Sequence, residues 1–293
     1  MNSNFSTTSE VVQLTEHFAR LCRFLYRDAT IVEKPGIEST EPHKTQEFWK
    51  VIAEPLRIGG SINNVQVTTN FIDPGDSLMC GQAWDYECTL SKVTSLYALE
   101  MTRFTWAWIA FENTASRCCS HIKGEEPTAS IINYLKTNSS INNFKGLLSI
   151  YGVAENLASD EALQATKHSA NRTDSSPYLY IHLCREVRNE LHSHFESIEP
   201  FFNEDDITLE IDSKITLLKS LSHLLLFSIQ AVLYAYFRSS STITGRLTES
   251  QGIPNNVELS RALEILHLDN QTNTFQADDQ TNAYQGKLEL DEY

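Results

Sequence analysis

Residues 220–237, SLSHLLLFSIQAVLYAYF, constrain the fold more than any other part of this chain. A run so apolar has to leave water, into a protein core or into a bilayer. It is slightly short for a membrane span, and His223, Ser228 and Gln230 inside it would be costly in hydrocarbon. A buried core helix is therefore expected, with no membrane involved. The chain has 293 residues, of which 41% are hydrophobic, enough to wrap such a helix on all sides.

Helical periodicity dominates elsewhere. Val11, Leu14, Phe18, Leu21 and Leu25 repeat at three- to four-residue spacing and predict a helix over 10–26. A shorter one is expected over 45–53, around Phe48, Trp49 and Ile52. In the longest, 90–118, Leu96, Leu99, Phe104, Trp106, Trp108, Ile109 and Phe111 cover much of the circumference, so that helix should be central. Helices follow over 130–135 and over 141–151, the latter capped at its C-terminus by Gly152. Another over 160–167 runs into a polar loop, 168–176. Ser176-Pro177 offers a capping hydroxyl and a first-turn proline for a helix to about 195. Asp212 opens the helix that contains the apolar run, and 257–266 is a short amphipathic segment.

Between residues 55 and 83, Gly59-Gly60, the alternating Val65, Val67 and Phe71, and Pro74-Gly75 read as one or two short strands with turns. The expected fold is mainly α, a helical bundle with a small β-containing N-terminal insertion. Residues 1–89 would form an N-terminal helical region with the β segment, 90–268 the main helical domain, and 269–293 a flexible acidic tail.

Charge and cysteine content narrow the function. With 38 Asp+Glu against 23 Lys+Arg the net charge is −15, which repels phosphate backbones at long range, so any RNA contact must be local. Cys22, Cys80, Cys88, Cys118, Cys119 and Cys184 form no CxxC pair, so neither a disulfide scaffold nor a thiolate zinc site is expected. His182, His192 and His194 do not put three metal ligands on one helical face, and the glycines around Gly59 and Gly75 lack the pattern of a phosphate loop. No cofactor or metal is expected. The first residues show no basic stretch leading into an apolar one, and a reduced, cytoplasmic protein is the expectation.

The chemistry concentrates in 184–194, CREVRNELHSH. At about 3.6 residues per turn, Arg185, Arg188 and His192 share a helical face, while Leu183, Val187 and Leu191 point towards the core. His194 joins that face only if the helix bends near Ser193. Histidine titrates near neutrality and can exchange a proton with a ribose 2′-OH or a 5′-leaving oxygen. Arginine offers a planar fork to the non-bridging oxygens, where charge builds in the transition state. Two copies meeting across a two-fold axis would complete such a site. The plainer reading is a solvated face, with Arg188 paired to Glu190 or to a neighbouring helix.

Arg188-Asn189, with His194 after five intervening residues, resembles the HEPN superfamily, whose hallmark is Arg, four to six residues, then His, often with a polar residue after the Arg. Arg185 and His192, six residues apart, match less well because Glu186 follows the arginine. The aromatic stretch 103–113 with Glu112 is similar to the aromatic helix bearing a buried glutamate in many members. The resemblance spans roughly 90–237. It implies a HEPN-like bundle and a metal-independent endoribonuclease that cuts RNA by 2′-OH attack, leaving a 2′,3′-cyclic phosphate. Homodimerisation, a role in toxin–antitoxin or antiphage defence, and an antitoxin or regulatory protein partner come with it. The candidate catalytic residues are Arg188 and His192 or His194. Asn189 either orients the phosphate or caps a helix, and Glu112 either holds an active-site Arg or His or makes a structural ion pair. The commonest family spacing falls on Ser193 here, which leaves the choice of histidine open. Other members have lost catalysis, so the alternative is an inactive helical module that binds a protein partner or RNA.

Overall fold

Helices carry the chain through nearly all the residues that the computed structural model describes, namely 11–29, 42–68, 81–119, 126–138, 144–173, 176–193, 204–237, 262–264 and 266–268. In order they are α1 (Leu14–Arg23), prolonged by a π turn over Phe24–Asp28, α2 (Pro42–Ser61), α3 (Gly81–Cys118), α4 (Pro127–Asn138), α5 (Leu147–Leu157), α6 (Asp160–Thr173), α7 (Leu179–Ser193) and α8 (Glu204–Phe237). The fold is mainly α, as the periodicity requires. No strand occurs among the described residues, where a lone antiparallel bridge joins Val11 to Leu268.

The apolar run is the second half of α8, and it is the core. Leu221, Leu224, Leu225, Leu226, Phe227, Ile229, Val232 and Leu233 have no solvent exposure. By length and composition 211–237 could cross a membrane, but 78% of its most apolar window is buried inside the fold. α1, α3, α4, α5 and α7 pack around it. Its serines stay satisfied inside the core because the Ser222 and Ser228 hydroxyls donate to the carbonyls of Leu218 and Leu224, each at 2.8 Å.

Several element boundaries differ from the sequence expectation. α2 does not stop at 53 but continues through Pro55 and Gly59-Gly60 to Ser61. Pro55 has no N–H for the carbonyl of Val51, one turn back. Asn113 on α3 supplies the missing donor, its Nδ2 lying 2.8 Å from Val51 O. The paired glycines make room rather than a turn, as a Cβ on Gly59 would lie 2.7 Å from Phe18 Cε1 and one on Gly60 3.0 Å from Phe18 Cβ. α1 and α2 thus pack where no larger residue would fit.

The β segment expected between 55 and 83 is not seen among the described residues. Residues 62–68 run without regular structure along α3, and side chains of that helix take up their backbone groups. Arg103 Nη2 donates to Ile62 O at 2.6 Å, Ser95 Oγ accepts from Val67 N–H at 2.9 Å, and Ser91 donates to Val67 O. Residues 69–80 lie outside the described set, and α3 already begins at Gly81.

Gly152 is not a C-cap but an interior residue of α5, which runs on to Leu157. The left-handed glycine is Gly146 (φ 85°) at the N-cap, pressed against Val11, where a Cβ would collide with Val11 Cγ2. Lys167 and His168, expected at the edge of a loop, stand on α6, which continues to Thr173.

Candidate functional site

α7 is built to show one side to the core and two to its neighbours. Tyr180, Ile181, Leu183, Cys184 and Val187 are buried, and Leu191 packs against the same core. His182 is buried as well, and desolvation, then the nearby Arg185 charge, hold its pKa down at about 4, so it stays neutral. The remaining surface carries the two arginines, and they part company. Arg185 turns towards α6: its Nη2 donates to Ser169 Oγ at 2.7 Å, its Nε to Glu186 Oε1 at 3.0 Å, and its Nη1 lies 3.3 Å from Glu126 Oε2.

Arg188 turns the other way, onto the aromatic helix α3. Its guanidinium carbon stands 4.7 Å from the centroid of the Trp108 ring, and its Nη2 lies 3.8 Å from Glu112 Oε1. The Trp108 indole N–H donates to that same carboxylate oxygen at 2.6 Å. Trp108 and Glu112 are four apart, so one turn of α3 presents ring and carboxylate side by side. Cation–π attraction and charge pairing together hold the guanidinium over this turn of α3. Arg188 keeps 34% of its side chain exposed and Glu112 39%, against 5% for the whole of Trp108. An anion can still reach the arginine.

His192 is exposed in the last turn of α7, four residues after Arg188, and Asn189 is exposed beside it. Glu190 does not pair with Arg188; its Oε1 accepts from Ser159 Oγ at 2.7 Å. His194 lies outside the described residues. Among the described residues no group of three or more His, Cys, Asp or Glu side chains is placed to hold a metal ion. An open depression of about 580 Å³, lined by Glu47, Phe48, Lys50, Val51, Glu54 and Arg117, includes none of the candidate residues.

No family model, no curated protein and no solved structure matches this chain. Function has to be read from α7 and α3 themselves. The arrangement offers a half-exposed cation on an aromatic and carboxylate seat, and an imidazole one turn further on. Sequence reasoning singled out Glu112 but passed over Trp108 as the seat; the Trp–Glu spacing of four residues was the available signal.

Proposed function

We propose that this protein is a metal-independent endoribonuclease of the HEPN type, working in the cytoplasm as a homodimer in toxin–antitoxin or antiphage defence. The observation that carries this reading is Arg188, oriented by Glu112 and Trp108 and left partly open, with His192 exposed one turn away. In the proposed reaction the histidine removes the ribose 2′-OH proton and its counterpart from the second subunit protonates the leaving 5′-oxygen. Arg188 neutralises the charge that develops on the non-bridging oxygens. Either His192 or His194 serves as that histidine, and Asn189, exposed on the same helix, orients the phosphate in this reading. Glu112 and Trp108 act as positioning residues. The net charge of −15 argues that RNA arrives with a partner, or that a regulatory protein holds the activity in check.

Purified protein incubated with labelled RNA in EDTA should cut it to products ending in a 2′,3′-cyclic phosphate. Arg188→Ala should lower the rate at least about hundredfold, in line with general acid–base and oxyanion contributions of that order. The combined His192→Ala/His194→Ala variant should abolish cleavage. Cleavage equal in wild type and variants refutes the enzyme reading. One observation favours a second reading, an inactive module that binds protein or RNA: within a single copy Arg188 is engaged by Glu112 and Trp108, not by His192. That reading predicts no cleavage by the wild-type dimer.

A further inference from the structure

Away from α7, three histidines and a glutamine form a continuous hydrogen-bonded chain through the core. His223 Nδ1 lies 3.2 Å from His17 Nδ1, and His17 Nε2 lies 3.0 Å from Gln230 Oε1. Gln230 Nε2 is 2.9 Å from His267 Nδ1, and His267 Nε2 is 2.9 Å from Lys145 O. His17, Gln230 and His267 have no solvent exposure. The chain ties α1 and α8 to residues 262–264 and 266–268, which also hold on through Val12 N–H to His267 O at 3.0 Å and through Arg20 Nη1 to Leu266 O and Leu268 O at 3.2 and 2.8 Å. We propose that residues 262–264 and 266–268 form an acid-released strap, latched by His17, Gln230 and His267 while the His267 ring is neutral.

The direction of the chain follows from its fixed ends. Lys145 O only accepts, so His267 carries its hydrogen on Nε2 and presents a lone pair at Nδ1. Gln230 Nε2 donates there and also to Leu263 O, a second carbonyl that fixes the orientation of the amide. Gln230 Oε1 then accepts from His17 Nε2–H, and His17 Nδ1 accepts from His223 Nδ1–H. Every donor meets an acceptor with all three rings neutral. The outer end tolerates a proton, since His223 can shift its own hydrogen to the other nitrogen and accept from His17. The inner end does not. A proton on His267 Nδ1 would face the Gln230 NH₂, and turning that amide would strip Leu263 O of its donor and set Gln230 Oε1 against that carbonyl.

The surroundings keep protons off. Burial is the main cause that brings His223 and His267 down to about 4 and His17 well below its ordinary value. From α1, Arg20 adds to this at His17 and His267, and Glu16 beside it is engaged by Arg20 and Arg23, each at 2.8 Å. Lys219 on α8 is exposed one turn before His223, Lys145 precedes α5, and Glu264 belongs to the strap itself. Phe227 and Phe144 pack edge-on to the His267 ring, with centroids at 4.7 and 5.6 Å. Once the strap leaves, His267 regains its ordinary pKa and holds its proton, which pulls the equilibrium towards release.

Hydrogen exchange on the full-length protein tests this, with the Val12 amide and the strap amides as reporters. A pKa of about 4 in place against 6.5 when freed favours opening about thirtyfold at pH 5.0 over pH 7.5. After correction for intrinsic rates, those amides should exchange about thirtyfold faster at pH 5.0, while the α3 and α8 amides change far less. In His267→Gln, which keeps an amide donor for Lys145 O but cannot titrate, the rise should vanish. Equal protection at both pH values overturns the proposal, as does a rise shared by α3 and α8, or one of the same size in His267→Gln. If that variant does not fold, ring NMR of the wild type decides: His267 must titrate together with the loss of Val12 protection, and separate titrations overturn the latch.

Discussion

Gly59 and Gly152 are both interior helical glycines, yet they answer to different neighbours. In α2, Gly59 faces the fully buried Phe18 ring, and an added methyl at 2.7 Å cannot be accommodated without moving that ring or the helix. In α5, a Cβ on Gly152 would meet nothing within 4 Å. Helix propensity alone favours alanine over glycine at both sites by about 1 kcal/mol. Gly152→Ala should therefore stabilise the protein by about 0.5–1 kcal/mol. Gly59→Ala should destabilise it by about 1–3 kcal/mol, because overpacking outweighs propensity there. Urea denaturation midpoints of the two variants check the contrast, and matching signs would contradict the packing described between α1 and α2.

The elements carry a similar lesson about partners far away in the chain. α2 continues past Pro55 because Asn113, on a different helix, donates to the carbonyl that proline leaves without an intrahelical partner. Asn113→Ala should cost about 0.5–1.5 kcal/mol, the usual net worth of one intramolecular hydrogen bond. In a Pro55→Ala background, where residue 55 recovers an N–H for Val51 O, the same substitution should cost clearly less. A double-mutant cycle measures this coupling, and strict additivity would mean that Asn113 does not serve the Pro55 gap. On α7, Arg185 and Arg188 stand three residues apart, and sequence periodicity put them on one face. The intended neighbours differ: carboxylates and a serine near α6 take Arg185, and the Trp108–Glu112 turn of α3 takes Arg188. Only the second arginine is left in a setting that suits the proposed chemistry.

For the molecule as a whole, buried neutral histidines set the response to acid. His17, His182, His223 and His267 all have pKa values below the ordinary 6.5, with burial as the main cause. The unfolded chain therefore binds more protons than the folded one between pH 6.5 and about 4. Stability from these groups is complete above pH 6.5 and falls as the pH drops towards about 4. Urea midpoints should fall between pH 7.5 and 5.0, more steeply in wild type than in His267→Gln, and a midpoint that rises on acidification would contradict the burial of these rings.

The sequence by itself determined that this chain is helical and that 220–237 lies at its centre, because the 3.6-residue periodicity and the cost of exposing such a run to water are local, additive quantities. It also sufficed to single out Arg188, His192 and Glu112 as residues worth following. Only the tertiary structure decided that Gly59-Gly60 is a packing site, that Gly152 sits inside a helix, and that Arg188 rests on Trp108. It alone joined His17 to Gln230 and His267, residues more than two hundred positions apart. Each of these depends on which atoms a distant segment brings within a few ångströms, and periodicity along one helix does not encode that.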